Sequence, residues 1–214
     1  MNFKGGNEGQ KAALEMALAN VASADPTTMY MAAAVACKAG KLEDAAFLYY
    51  AAQMRARFDV QRFRVTGGGG VGSLYGALSN QVGELVNPAI VRDPQALAAA
   101  LTRVEGWNVQ PSGSYDPGWK VGDSAKMNSD EEAALSKALK DDAMSHLRPM
   151  SALLSDPEYF SAFMTFQAFN LAPFKEQQDP NRITEKERAE ETLLKIENDK
   201  KLSYLTGILK RQRK

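Results

Sequence analysis

The sequence has very little cysteine and histidine. Cys37 and His146 are the single examples of their types in 214 residues. One cysteine excludes a disulfide within the chain, and one histidine excludes a zinc site built from several histidines or cysteines. We therefore expect no metal and no cofactor, and we expect a reducing, cytoplasmic environment.

Excess charge of one sign and long apolar runs are also missing. The 26 basic side chains equal the 26 acidic ones, so no overall field favours nucleic acid or an anionic membrane. The first ten residues contain no apolar segment of the kind found in signal peptides, and no stretch of about 18 apolar residues follows. We expect a protein that does not associate with membranes, and nucleic acid is not an expected partner.

Alanine is abundant instead, with 16 in the first 56 residues, and alanine is the strongest helix former. The Asp-Pro pairs at Asp25, Asp93 and Asp156 are typical helix starts, because aspartate caps free amides and proline suits the first turn. No convincing strand pattern occurs. The sequence predicts an all-α fold, a helical bundle or short solenoid-like arrangement of about seven helices with one long aromatic loop. The segments with a helical pattern are 8–23, 26–39, 42–57, 73–86, 93–104, 129–147, 156–170 and a last one from 184 to about 209.

The predicted organisation has two parts. Residues 1–178 form a helical domain with a glycine-rich connector at 66–72 and a long loop at 106–128, and residues 179–214 form a charged helix that docks on this domain or on a partner. Pairs of residues three apart, Ser129 with Glu132 and Thr184 with Glu187, predict capping boxes at two helix starts.

The second and third helices carry a pattern of small and large residues. Ala33, Ala36, Gly40, Ala45 and Tyr49, in the phrase AGKLEDAAFLYYAA and just before it, resemble positions of a tetratricopeptide (TPR) or Sel1-like helical hairpin. The resemblance covers residues 26–59 and implies two helices that cross closely through small residues. It departs from the repeat pattern because Met29 stands at the usual aromatic position and no second copy follows.

The aromatic residues of the long loop are candidates for partner binding. Trp107, Tyr115 and Trp119 lie among glycine, proline and serine, and such aromatics are enriched at binding hot spots. The alternative is that they fold back as a lid on the helices. Tyr49 and Tyr50 of the third helix complete the set of candidate partner-binding residues.

Other motifs favour structural interpretations. Gly67, Gly69 and Gly72 satisfy G-x-G-x-x-G, but no apolar strand precedes them, so we predict a connector and not a nucleotide site. Cys37 lies among alanines, as a small core residue does. Asp142 and His146 share a helix face and could offer two metal ligands, but no motif supplies the remaining ligands, so an ordinary helix salt bridge is the preferred explanation.

Two functions fit these observations. The first is a non-enzymatic helical protein-interaction module of the adaptor, secretion-chaperone or toxin-immunity type, with another protein as its partner. The alternative is a small helical hydrolase or ligand-binding protein that uses carboxylates in the 106–146 region. Residues 125–180 carry a net charge of −4 and residues 181–214 a net charge of +4, so pairing within the chain or in a homodimer is also open.

Overall fold

The computed structural model describes residues 7–63, 70–112, 115, 117 and 127–204. Within these residues the chain forms nine helices and no strand, which confirms the all-α prediction. The helices are α1 Asn7–Ala19, α2 Pro26–Lys38, α3 Leu42–Arg62, α4 Val71–Ile90, α5 Pro94–Gly106, α6 Ser129–Leu154, α7 Pro157–Leu171, α8 Phe174–Gln177 and α9 Pro180–Asp199. None of these helices combines the length and the apolar character needed to cross a membrane.

The chain divides into two compact units, Met1–Met144 and Ser145–Lys214, with the division inside α6. The first unit contains α1–α5 and the first part of α6. The second contains the end of α6 with α7, α8 and α9, and α7 packs on α9. The domain boundary predicted at residue 178 lies inside this second unit.

Helix α3 is the centre of the first unit and packs against α2, α4 and α5. Thirteen of its 21 residues are buried, because small alanines and large apolar side chains occupy nearly all of its faces. A helix that is apolar all round is stable only when other elements surround it. This explains why α3 continues to Arg62, beyond the end predicted at Arg57: Phe58 and Asp59 are buried as well.

A three-residue turn joins α2 to α3. Gly40 has a positive φ of 72°, the Lys41 amide donates to Ala36 O at 2.9 Å, and the Gly40 amide donates to Cys37 O at 3.1 Å. These are the two hydrogen bonds of a Schellman turn, in which glycine avoids Cβ strain. The helical segment predicted at 26–39 therefore ends before Gly40, within one residue of the predicted end, and Ala33 and Ala45 are buried where the helices pack. The relationship to TPR repeats stays a prediction.

Two helix ends lie further along the chain than predicted. Helix α4 passes through Pro88 to Ile90 and α6 passes through Pro149 to Leu154, although proline removes a backbone donor and disfavours the helical conformation before it. In both cases the last turn carries buried apolar side chains, Ile90 in α4 and Leu154 in α6. Their burial offsets the local cost of the proline.

The two predicted capping boxes are wrong, because other residues cap these helices. At α6, the side chain of Asn128 accepts from the Glu131 amide at 3.0 Å, and the Glu131 carboxylate accepts from the Asn128 amide at 2.8 Å. This leaves Glu132 available for an ion pair. Helix α9 starts at Pro180 because Asp179 accepts from the Asn181 amide at 2.9 Å, and Thr184 lies inside the helix. It ends at Asp199, and the residues after 204 lie outside the described part of the chain.

The second unit has an aromatic core, as the stripe Tyr159, Phe163 and Phe166 predicts. All three are buried, and the rings of Tyr159 and Phe163 stack with centroids 6.3 Å apart. The Tyr159 hydroxyl donates to Glu197 Oε1 of α9 at 2.8 Å. One aromatic helix thus supplies both the apolar core and a buried polar link to α9.

Candidate functional site

A stripe of ionisable residues on α3 faces the long loop. Arg55, Asp59 and Arg62 follow one another at helical spacing, so they lie on one side of the helix. The described residues of the loop that include the contacts with this stripe are 107–112 and Tyr115, and we name them the strap. The candidate site is the contact of this stripe with the strap.

Arg55 ties three segments together. The side chain is completely buried; its Nε donates to Val109 O at 2.8 Å, and its two terminal nitrogens donate to Ala24 O and Ala22 O at 3.3 Å each. The guanidinium also lies 5.0 Å from the ring centroid of Trp107 and 5.1 Å from that of Tyr115. Burial lowers the pKa of Arg55. The hydrogen bonds and the aromatic faces oppose this effect and help to keep the guanidinium charged. Arg55 therefore holds the strap and the α1–α2 connection on α3.

Asp59 is the most perturbed carboxyl of the site. It is 0% exposed, its Oδ2 accepts from the Tyr115 hydroxyl, and its Oδ1 has no hydrogen-bond partner among the described residues. Burial raises the pKa of Asp59 to about 6, while the Tyr115 hydrogen bond and the charges of Arg55 and Arg62 oppose the rise. Burial, together with the Asp59 hydrogen bond, raises the pKa of Tyr115 as well. The carboxyl thus changes charge close to neutral pH.

The start of α6 clamps the strap from another side. Glu132, Ser136 and Lys140 lie four residues apart, so they share one helix face. Glu132 Oε2 accepts from Gln110 Nε2 at 3.2 Å, Ser136 Oγ donates to Asn108 Oδ1 at 3.4 Å, and Lys140 Nζ donates to Trp107 O. The three contacts form a ladder along the strap.

Glu132 also joins α6 to α3. Its Oε1 accepts from Arg62 Nε at 2.5 Å, and both side chains are largely buried. The two oxygens of one carboxylate therefore connect the ionisable stripe on one side and the strap on the other.

The residues predicted to bind a partner are placed mainly in the interior. Trp107 is only 8% exposed and meets Phe47 edge to face, which agrees with the lid alternative. Tyr49 and Tyr50 are buried, and the Tyr49 hydroxyl donates to Ser79 O at 3.2 Å. Tyr115 is half-buried at Asp59.

The structure brings Trp107 and Tyr115 to the same guanidinium. Trp119, the remaining candidate, lies outside the described residues. The three candidates that are buried, Trp107, Tyr49 and Tyr50, present little surface to a partner.

Three of the described carboxylates in the region predicted for an enzymatic site are engaged in ion pairs or in a helix cap. Asp141 pairs with Lys137 at 2.5 Å, Asp142 pairs with Arg57 at 2.7 Å, and Glu131 caps α6. His146 is exposed, and within the described ranges no group of three or more His, Cys, Asp or Glu side chains is arranged to hold a metal ion.

The sequence does not single out Asp59, because the helical segment predicted for this part of the chain ends at Arg57. The available signal was the four- and three-residue spacing of Arg55, Asp59 and Arg62, which continues the helical period beyond Arg57.

Two further motifs have structural roles. Cys37 is half-buried, its thiol donates to Leu85 O at 3.6 Å, and burial raises the pKa of the thiol, so it is a poor nucleophile. Gly72 lies in the first turn of α4, and Gly67 and Gly69 lie outside the described residues.

Together, these contacts define an all-α protein whose first unit holds a long connecting segment through buried charge. Comparison of the chain with protein-family models, curated proteins and solved structures found no match.

Proposed function

We propose that this chain is a non-enzymatic helical protein-interaction protein that binds a partner protein through an apolar corner of its second unit. The corner consists of Leu171 at the end of α7 and Phe174 at the start of α8. These side chains are 74% and 77% exposed, the highest values among the large apolar residues exposed in the described chain. This exposure is the observation that carries the proposal, because the two side chains are three positions apart in the chain and grouped exposed apolar side chains mark interaction surfaces more often than scattered ones.

The surroundings of the corner favour an apolar partner surface. Phe169, two residues before Leu171, is half-buried and is therefore not part of this exposed surface. Beside Phe174, the carboxylate of Glu176 pairs with Arg182, so the charges at the edge neutralise each other. A partner that presents apolar side chains without a strong charge of either sign fits this corner.

The contacts of the strap aromatics favour the apolar corner over the long loop as the partner-binding site. Trp107 is held inside the first unit by Arg55, Phe47 and Lys140, so removing it from that unit would break several contacts. An exposed leucine and phenylalanine lose only water on binding. The adaptor, secretion-chaperone and immunity types remain the classes of interaction protein to which we assign the chain. The zero net charge supports a protein partner over nucleic acid, and the single free cysteine supports a reducing, cytoplasmic location.

The test uses affinity-tagged chain in lysate of the native host, with partners identified by mass spectrometry. The double variant Leu171→Ser/Phe174→Ser should lose the partner that the unchanged chain recovers. Met16→Ser is the matched control, because Met16 is also apolar and 67% exposed but belongs to the first unit. Retention of every partner by the double variant contradicts the proposal.

A second measurement asks whether the occupant is another copy of the chain. Light scattering of the purified protein over a range of concentrations should show a monomer if the partner is a different protein. A dimer that the double variant abolishes would identify a second copy as the occupant.

A small-molecule or hydrolytic function is the second candidate, and Asp59 is the observation that favours it. A carboxyl with a pKa of about 6 accepts and releases protons near neutral pH, as general acids and bases do. Its test is a thermal-shift screen of phosphate, carboxylate and nucleoside compounds. A compound that stabilises the unchanged chain but not Asp59→Asn would support this function over the first, and a screen without such a compound would leave the interaction function preferred.

A further inference from the structure

We propose that the strap is a proton-operated latch: neutral Asp59 keeps it closed on α3, and ionisation of Asp59 favours its release. The inference does not depend on the proposed function, since it concerns the first unit only. It rests on the arrangement of charged groups around one fully buried carboxyl.

The carboxyl of Asp59 meets groups from several elements. Arg55 and Arg62 lie on its own helix, Tyr115 belongs to the strap, and Asp25 of the α1–α2 connection acts on it through its charge. Tyr75 of α4 acts on Tyr115. The α6 residue Glu132 reaches this group through Arg62.

The hydrogen bonds of the two arginines go elsewhere. Arg55 donates to three backbone carbonyls, and Arg62 Nε donates to Glu132. Asp59 therefore has Tyr115 as its hydrogen-bond donor, and its Oδ1 has no hydrogen-bond partner among the described residues.

An ionised carboxylate in this position is costly. A buried charge needs hydrogen bonds to replace its lost hydration, and here one of the two oxygens receives none from the described residues. The charges of Arg55 and Arg62 offset only part of this cost, because the pKa of Asp59 is still raised. Movement of the strap takes Tyr115 away from Asp59 and opens the carboxyl to water. The ionised form gains from this hydration, whereas the neutral acid gains much less.

The sign of the pH effect follows from proton linkage. With the strap closed, burial raises the pKa of Asp59 from an ordinary 3.8 to about 6, and with the strap open it returns toward the ordinary value. Closing of the strap therefore takes up a proton. The contribution of Asp59 to the stability of the closed state is complete below the ordinary pKa of 3.8, and it is lost as pH rises through about 6. The equilibrium between the closed and open strap shifts by up to about 100-fold across this range.

The amide of Ser112 reports the closed strap, because it donates to Ala22 O of the α1–α2 connection at 3.1 Å. Hydrogen–deuterium exchange at pH values of about 4.5 and 7.5, corrected for intrinsic exchange rates, gives the opening equilibrium even when the closed state dominates. The protection factor of Ser112 should fall at least about 10-fold at the higher pH. The amide of Lys41, in the α2–α3 turn of the same unit, should change much less.

Three variants assign the effect to one carboxyl. Asp59→Asn keeps the shape but cannot ionise, so the protection of Ser112 should no longer depend on pH. Asp25→Asn removes a neighbouring carboxylate, keeps a good helix cap and should retain the drop. Tyr115→Phe removes a hydrogen bond that favours ionised Asp59, so the fall in the protection of Ser112 at the higher pH should become larger. This variant tests the latch if Asp59→Asn does not fold.

Three results would overturn the latch. Equal protection of Ser112 at both pH values shows that Asp59 does not control the strap. A drop that persists in folded Asp59→Asn assigns the effect to another group. An equal loss at Lys41 shows that the whole unit opens, and not the strap.

Discussion

Helices α3 and α7 organise the two units in different ways. Helix α3 is buried on nearly every side and carries an arginine and an aspartate into the interior, where backbone carbonyls and Tyr115 receive them. Helix α7 buries one aromatic stripe, makes a buried polar link through Tyr159, and ends at the exposed Leu171. The first unit is therefore distinguished by specific polar contacts in its interior, and the second by an exposed apolar surface.

The largest expected effect is the loss of buried charge from the first unit. Arg55→Met removes the arginine donor from three carbonyls and leaves Arg62 as the nearby positive charge that acts on Asp59, so the free energy of unfolding should fall by about 3–5 kcal/mol. Urea denaturation measures it. Arg57→Met is the control on the same helix: its ion pair with Asp142 is exposed, and its loss should cost at most about 1 kcal/mol. Equal costs for the two variants would remove the distinction between interior and surface charge.

The two units should respond to pH in opposite directions. The raised pKa of Asp59 stabilises the first unit fully below 3.8, and this contribution, about 3 kcal/mol, is lost as pH rises through about 6. In the second unit, a hydrogen bond from Lys200 and the amides of α7 lower the pKa of Asp156, so its contribution is present at neutral pH and is lost on acidification. Amide exchange in α5 and α7 between pH values of about 3 and 7.5 separates the two trends. A single common trend would contradict the assignment.

The interior of the first unit also requires one glycine. A Cβ at Gly83 of α4 would overlap the Tyr49 hydroxyl, which is buried and bonded to Ser79 O, so Gly83→Ala should cost about 1–3 kcal/mol in thermal or urea unfolding. Gly76→Ala lies on the same helix where a Cβ meets nothing within 4 Å, and it should stabilise by about 0.5–1 kcal/mol. Stabilisation by both substitutions would show that Tyr49 moves freely.

Removal of the buried link in the second unit should have a smaller effect than removal of Arg55. Tyr159→Phe keeps the aromatic core but removes the donor to Glu197, so the expected cost is about 1–3 kcal/mol. Glu197→Gln keeps an acceptor at the same place and should cost less. The reverse order would indicate that the charge of Glu197, and not the hydrogen bond, stabilises this unit.

The smallest effect is expected at the apolar corner. Leu171→Ser and Phe174→Ser change side chains that are mainly exposed, so stability should change by less than about 0.5 kcal/mol. A fall of the melting temperature by many degrees would show that the corner belongs to the core, and it would remove the basis for the proposed partner surface.

Local chemistry in the sequence determined where several helices begin. Asp25, Asp93 and Asp156 were expected to cap helices, and in each case the carboxylate accepts from amides within the next three residues. Asp179, before Pro180, carries the same signal and starts α9 in the same way. These interactions span three residues, so they depend little on the rest of the fold. The turn at Gly40 is local in the same sense, whereas the aromatic stripe of α7 follows from helical periodicity.

Tertiary structure alone decided the helix ends and the candidate site. Proline is a local stop signal, but burial of Ile90 and Leu154 carries α4 and α6 past it. Arg55 and Asp59 have the polarity of surface residues, and their partners Val109 and Tyr115 lie 54 and 56 positions away in the chain. A polar residue is stable inside a protein only if distant segments supply its hydrogen bonds, and helical periodicity contains no information about those segments.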